Sequence, residues 1–310
     1  MINTISCSEH HAVKHLVSIK SLGRNELDQL IMLAHDAYQG KLLNSLQNKI
    51  IASCFFEAST RTRLSFEAAI HRLGADIIGF SDAHNTSFGK KKETLTDTIQ
   101  ILNGYADAIV MRHFDSGSAK LAASVSEIPV INAGDGSNEH PSQTLLDLFT
   151  IDQKFGQIDG IKIAMIGDLC YGRTVHSLSY ALMNYNNITI YYVAPQSLQI
   201  PNDIEKKLQE NNINFYCSDQ LEDVIELVDV LYMTRLQEER FTKTDEYGMD
   251  YILTADILSK HAHDDLIVLH PLPRVQEICN SVDVTKYAWY FQQSKNGVFI
   301  RQAILYNLFK

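Results

Sequence analysis

Residues 59–63, Ser-Thr-Arg-Thr-Arg, bring hydroxyl groups and two guanidinium groups into one turn of chain. Ahead of them, residues 49–56 form a short apolar run of strand length. After them, Phe66, Ala69, Ile70 and Leu73 recur at helical spacing until Gly74. The polar cluster therefore lies on a strand-to-helix turn. The first backbone N–H groups of a helix lack partners and its dipole adds partial positive charge, so Arg61 and Arg63 complete an anion site best suited to phosphate. An ordinary N-cap with solvated arginines is the plainer reading, but it does not explain this density of donors in one turn.

Other segments could complete such a site. Residues 81–93 are polar, contain Gly89 and hold Lys90, Lys91 and Lys92 in succession, as a mobile anion-gripping loop would. This is not a P-loop: the upstream glycine is missing and Lys90 is followed by lysine instead of Ser or Thr. Arg112 closes a strand at 106–113, which places it at the carboxyl end where parallel sheets hold ligands; a surface ion pair is its simpler role. His140 precedes Pro141 at a helix start, with Gln143 in the first turn. Arg173 opens a further strand-to-helix turn, placed to fork onto a carboxylate. Gly167 and Gly172 near it do not make Gly-x-Gly-x-x-Gly, which argues against a dinucleotide. Arg235 and Gln237 lie two apart and in extended chain share a face, suited to a small diacid or to an interdomain salt bridge. In residues 270–274, His-Pro-Leu-Pro-Arg, the prolines remove donors and leave carbonyls such as that of Leu272 free to accept.

In order along the chain, these segments resemble the aspartate and ornithine carbamoyltransferases. Ser-Thr-Arg-Thr-Arg-x-Ser-Phe-Glu is similar to the family's carbamoyl phosphate signature, and His-Pro-x-Gln to its second motif. Ornithine enzymes carry His-Cys-Leu-Pro where this chain has His270-Pro271-Leu272-Pro273, and Arg173, Arg235 and Lys91 suit a substrate carboxylate, so the resemblance favours the aspartate branch. It implies carbamoyl transfer from carbamoyl phosphate to the amine of L-aspartate, an early step of pyrimidine synthesis, without metal or cofactor. The catalytic set would be Arg61, Thr62, Arg112 and His140. Carbamoyl phosphate would meet Ser59, Thr60, Arg61, Thr62, Arg112, His140, Gln143, Leu272, Pro273 and Ser87 of a neighbouring subunit. Aspartate would meet a neighbour's Lys91 with Arg173, Arg235 and Gln237, and Glu57 and Arg240 would bridge the domains, Glu57 pairing with Arg173 and Arg235 on closure. A homotrimer with shared active sites follows from the same resemblance; some bacterial members add a zinc-containing regulatory chain and are allosteric, and charge gives no guide to that here. Lys92 stands where glycine is expected and Cys170 where lysine is. An ornithine-type enzyme or an inactive paralogue serving assembly are the alternatives, the latter disfavoured because the matched site residues are present.

Composition sets the frame. The chain has 310 residues, 45% hydrophobic, enough for two cores. Its formal charge of -10 argues against nucleic acid and anionic membrane surfaces, so an anion site must overcome the overall field locally. No apolar run reaches membrane-spanning length and the first residues lack a signal-peptide core, which makes cytoplasm the expected location. Five scattered cysteines suggest reduced thiols. His10, His11 and His15 lie close in sequence near the start, where His11 and His15 could share a helical face; they are read as solvated instead of metal-binding. Strand and helix patterns alternate throughout, giving an α/β chain of two doubly wound parallel-sheet domains joined by interdomain helices. The expected division is 1–141 with a C-terminal helix at 291–310 for carbamoyl phosphate, and 142–290 for aspartate; the final helix itself is read from Gly297 to Lys310.

Overall fold

The computed structural model describes residues 14–235 and 251–310. The first part runs α1 (Arg24–Tyr38), β1 (Ile50–Phe55), α2 (Thr60–Arg72), β2 (Asp76–Phe80), α3 (Ser87–Lys91), α4 (Leu95–Leu102), β3 (Ala108–His113), α5 (Ser118–Val125), β4 (Val130–Asp135) and α6 (Pro141–Phe155). The second runs β5 (Lys162–Ile166), α7 (Arg173–Leu182), β6 (Thr189–Val193), α8 (Asn202–Glu210), β7 (Asn214–Ser218), α9 (Glu222–Ile225), β8 (Val230–Met233), α10 (Ala255–His261), β9 (Ile267–Leu269) and α11 (Tyr290–Leu308). Strands β1 to β4 form one sheet in the order β2-β1-β3-β4, and β5 to β9 another in the order β7-β6-β5-β8-β9, every pairing parallel. Two doubly wound parallel sheets are therefore present, as the alternation of patterns predicts. Among the described residues no helix is long and apolar enough to cross a membrane.

Inner strands such as β1 and β5 are apolar on both faces because helices cover both, whereas the edge strands β2 and β7 are largely exposed. In β1, Ile51 and Phe55 join one hydrophobic cluster while Ala52 and Cys54 join another; in β5, Ile163 and Met165 divide from Ala164 and Ile166 in the same way. The largest cluster crosses from one sheet to the other, with Leu27 and Phe66 at one end, Met165 and Tyr192 at the other, and Phe149, Ile300 and Ile304 between. Helix α11 packs on α1, α2 and α6, so the chain's end returns to its first sheet.

Three local expectations change. His15 lies in extended chain, not helix: Leu16 bridges Ile131, its N–H donates to Val130 O at 2.9 Å, and Val130 N–H donates to His15 Nδ1 at 3.1 Å. Strand β4 is the edge of its sheet, and an edge with unpaired N–H and C=O groups captures a neighbouring segment. The lysine loop includes a short helix, α3, held down by Phe88, whose ring meets Phe56 edge-on at 4.9 Å between centroids. Helix α11 starts at Tyr290, before the glycine that reads as its beginning. Gly297 stands mid-helix because a Cβ there would strike Arg301 Nη1 and press on Leu146.

Candidate active site

In each sheet the strand order reverses at a point where chain leaves in opposite directions, between β1 and β3 in one and between β5 and β8 in the other. Ligands of open parallel sheets bind beyond the carboxyl ends at such points. Here both open on one cavity of about 370 Å³. It is lined after β1 by Glu57 and residues 58–62, from β3 by Arg112, at the head of α7 by Arg173 and Thr174, after β8 by Thr234 and Arg235, and after β9 by His270, Pro271, Leu272 and Pro273. His140 and Gln143 at the head of α6, and Gln293 and Arg301 on α11, form its floor.

Ser59 is the N-cap of α2, yet its side chain makes no capping bond, so the hydroxyl is not spent on the helix. Thr60, Arg61 and Thr62 supply the first-turn N–H groups. Thr62 is buried, with Oγ1 3.4 Å from His140 Nε2, and Ser142 Oγ lies 3.4 Å from the other ring nitrogen. Burial drives the His140 pKa well below its ordinary value, and the charges of Arg173, Arg112 and Arg301 push the same way. The ring is therefore neutral and carries one N–H donor.

Five arginines, 61, 112, 173, 235 and 301, line the cavity against the single carboxylate of Glu57 among its described residues. Desolvation and the neighbouring Arg112 lower the Arg61 pKa, and burial lowers that of Arg301 to about 9. Arg112 Nε donates to Glu57 Oε2 at 2.9 Å, and Arg173 donates to Gly136 O. Gly134, at φ 119°, lets the two guanidiniums close over the backbone: a Cβ would lie 3.2 Å from Arg112 Nη1 and 3.5 Å from Arg173 Nη2. Such a concentration of positive charge in a chain of net charge -10 is unfavourable until an anion neutralises it.

The structure thus brings together Ser59, Thr60, Arg61, Thr62, Arg112, His140, Gln143, Arg173, Arg235, Leu272, Pro273 and Glu57. Glu57 bonds Arg112 at the end of the adjacent strand, within the first sheet, where the expectation was a pairing with Arg173 and Arg235. Ser87 and Lys91 are exposed on α3 and do not line this cavity. Lys92 caps α3 in the left-handed region at φ 57°, a conformation that favours glycine. Arg63 turns away and meets Glu67 at 3.5 Å along the helix. Gln237 and Arg240 lie outside the described residues. Arg301 and Gln293 are among the lining residues that sequence reasoning passed over, and His270 was read only as part of its proline-rich run. A lone arginine on a helix otherwise buried was the available signal for Arg301, with Gln293 and Gly297 on the same face at intervals of four.

Behind the floor, Asp147 is completely buried and takes three hydrogen bonds: from Gln143 Nε2 at 2.8 Å, from Gln293 Nε2 at 2.6 Å and from the Tyr232 hydroxyl at 2.9 Å. Burial raises its pKa to about 7, against the pull of those donors and of Arg301.

The description "Aspartate/ornithine carbamoyltransferase, carbamoyl-P binding domain" matches residues 14–153, and "Aspartate/ornithine carbamoyltransferase, Asp/Orn binding domain" matches residues 159–308. The chain is 52% identical over 296 residues to the aspartate carbamoyltransferase catalytic subunit of Buchnera aphidicola subsp. Schizaphis graminum, covering 94% of each. Its fold is similar to the catalytic subunit of M. jannaschii aspartate transcarbamoylase, with a TM-score of 0.88 and 46% identity over 95% of this chain and 97% of that one. Aspartate transcarbamoylase from Trypanosoma cruzi, solved with carbamoyl phosphate and aspartate, gives a TM-score of 0.88 and 40% identity, covering 95% and 96%.

Proposed function

The chain belongs to the aspartate/ornithine carbamoyltransferase family, and from this we propose that it transfers the carbamoyl group of carbamoyl phosphate to L-aspartate, giving N-carbamoyl-L-aspartate and phosphate. The observation that carries the aspartate reading is the convergence of five arginines on one cavity, with a single opposing carboxylate among its described residues. A substrate with a side-chain amine would be repelled there, whereas a dianionic phosphate beside a dicarboxylate relieves the repulsion among the guanidiniums.

Carbamoyl phosphate is an activated mixed anhydride, so the residues need to orient and stabilise charge and do not need to supply a nucleophile. The α2 N–H groups, Ser59, Thr60, Arg61 and Arg112, with Ser87 and Lys91 of the partner subunit, hold the phosphate. Thr62, Arg112 and the neutral His140 donate to the carbamoyl oxygen, while Gln143 and the carbonyls of Leu272 and Pro273 receive its amide N–H groups. Arg173, Arg235, Gln237 and the partner subunit's Lys91 take the aspartate carboxylates. The aspartate amine then attacks the carbonyl carbon, a C–N bond forms, oxygen gathers negative charge, and the C–O bond to phosphate breaks with its electron pair leaving on phosphate. The amine proton departs with the phosphate. Holding both anions in one desolvated cleft supplies the orientation.

The finer parts of the reading are a homotrimer that completes each site with a neighbour's α3, domain bridging by Glu57 and Arg240, and a cytoplasmic role in pyrimidine synthesis. One assay tests the core: purified protein with carbamoyl phosphate and L-aspartate should release phosphate and N-carbamoyl-L-aspartate in equal amounts. Release of citrulline from ornithine at a comparable rate would overturn the choice of acceptor.

A further inference from the structure

Gln143 is an amide whose two ends look alike in shape but are opposite in hydrogen-bonding sense, and it sits on the cavity floor. Its Nε2 donates to Asp147 Oδ1, one helical turn further along α6. Asp147 Oδ1 also accepts from Gln293 Nε2, so this oxygen acts as an acceptor and faces the Gln143 nitrogen; Oε1 is then the end left for the cavity. Asp147 does not itself line the cavity.

A second line runs from the same oxygen. Gln293 Nε2 donates to Asp147 Oδ1, which leaves Gln293 Oε1 to accept from His270 N–H at 2.8 Å. The Leu272 N–H donates to His270 Nδ1 at 2.7 Å, which puts the ring's proton on Nε2, facing Glu277 Oε1 at 2.7 Å. Leu272 is held at φ 54°, in the left-handed region unusual for a branched side chain, and its N–H is committed inward. Its carbonyl is the group this leaves for a ligand. Asp147 thus anchors two of the hydrogen-bond acceptors offered to the cavity floor, Gln143 Oε1 and Leu272 O, through chains of one and three hydrogen bonds.

We propose that Asp147 is a positioning residue that fixes the acceptor polarity of the subsite for the carbamoyl NH2, and so makes the chain prefer a carbamoyl phosphate to an acyl phosphate ending in methyl. This rests on the carbamoyl-transfer reading above. The role is one of selectivity: a site whose buried acceptors expect N–H groups rejects a methyl because those acceptors go unpaired. Tyr232 occupies the other carboxylate oxygen, Oδ2, and ties the arrangement to β8.

The probe is acetyl phosphate, which replaces the NH2 of carbamoyl phosphate by CH3. The quantity read is its inhibition constant divided by the KM for carbamoyl phosphate, at saturating L-aspartate, on the intact oligomer. Asp147→Leu removes the acceptor without adding a donor and should lower this ratio by about fivefold or more; a smaller change in a folded variant overturns the proposal. Asp147→Asn should keep the ratio, because its Oδ1 still accepts from both glutamines while the Tyr232 hydroxyl turns to accept from Nδ2. An Asn variant as unselective as the Leu variant overturns the proposal too. Should the Leu variant not fold, Gln293→Leu cuts the Leu272 arm alone: a fall of about threefold or more supports the proposal and anything less overturns it. A wild-type chain that makes no N-carbamoyl-L-aspartate sinks the carbamoyl-transfer reading before any variant is measured.

Discussion

Arg61 projects from the first turn of α2 into the cavity and is exposed, so its loss removes charge from the site and little from the core. Arg61→Ala should reduce kcat/KM by at least about a hundredfold, in line with the removal of one preorganised transition-state donor, while leaving the unfolding midpoint nearly unchanged. Steady-state kinetics beside a thermal melt check this, and a variant retaining more than a few per cent of activity would refute the assignment. Arg61, Thr62 and their neighbours were legible in the sequence because the signal is local: hydroxyls, guanidiniums and a helix start share one turn. Asp147 and Arg301 were not. Each is a charge inside an apolar helix, and only the packing of α6 against α11 shows that the carboxylate meets two glutamines and that the guanidinium reaches the cavity.

At the level of elements, helix α11 presents Gln293, Gly297 and Arg301 along one face toward α6. Glycine inside a helix costs roughly 0.5–1 kcal/mol relative to alanine, and here that cost makes room for the Arg301 guanidinium. Gly297→Ala should therefore gain helix propensity yet lose function: the methyl displaces Arg301 Nη1, KM for carbamoyl phosphate rises severalfold, and stability does not improve. Titration of phosphate binding together with chemical denaturation would check both halves, and a more stable variant with unaltered phosphate affinity would contradict the packing argument. The strands were readable from their apolar runs, and α2 and α6 from their starts. Segments whose conformation is set from outside were misread. His15 follows the open edge of β4, and the start of α11 was hidden by a glycine that answers to Arg301 and Leu146 instead of to the helix end.

For the whole molecule, two consequences can be measured. His113, His140 and His270 are buried and each titrates below its ordinary value, with desolvation the leading cause. Below about pH 6.5 the unfolded chain takes up protons there that the folded chain refuses, so stability falls as pH falls, by up to about 1.4 kcal/mol per pH unit for each ring. Asp147 has the opposite sign: with its pKa raised to about 7, the folded state holds the extra proton down to the ordinary carboxylate range, which offsets about one histidine. Denaturant unfolding at pH 7.5, 6.5 and 5.5 should therefore show a net loss on acidification; constant or rising stability would sink this balance. The second consequence concerns assembly. If each site borrows α3 from a neighbour, an equal mixture of Lys91→Ala and Arg112→Ala chains should regain activity in about a quarter of its sites, since one interface in four joins the two intact halves. Activity of the reassembled mixture no greater than that of either parent would count against sharing. Neighbours are the part a single chain leaves least legible, because exposed Ser87 and Lys91 look the same whether they face water or a second copy.

The hydrophobic cluster that runs from Leu27 through Phe149 and Ile300 to Tyr192 also bears on how this chain can be recombined with its relatives. A crossover placed between the two sheets, the obvious join on a linear map, would pair a foreign α11 with a native α1 and α6 and leave mismatched side chains on both flanks of the seam. Hybrids should be viable when the first sheet, α6 and the last helix are inherited from one parent, and the β5–β9 block from the other. Exchange of substrate preference by shuffling is thus confined to the loops and strands of that block, inside a frame that has to be passed on as a unit.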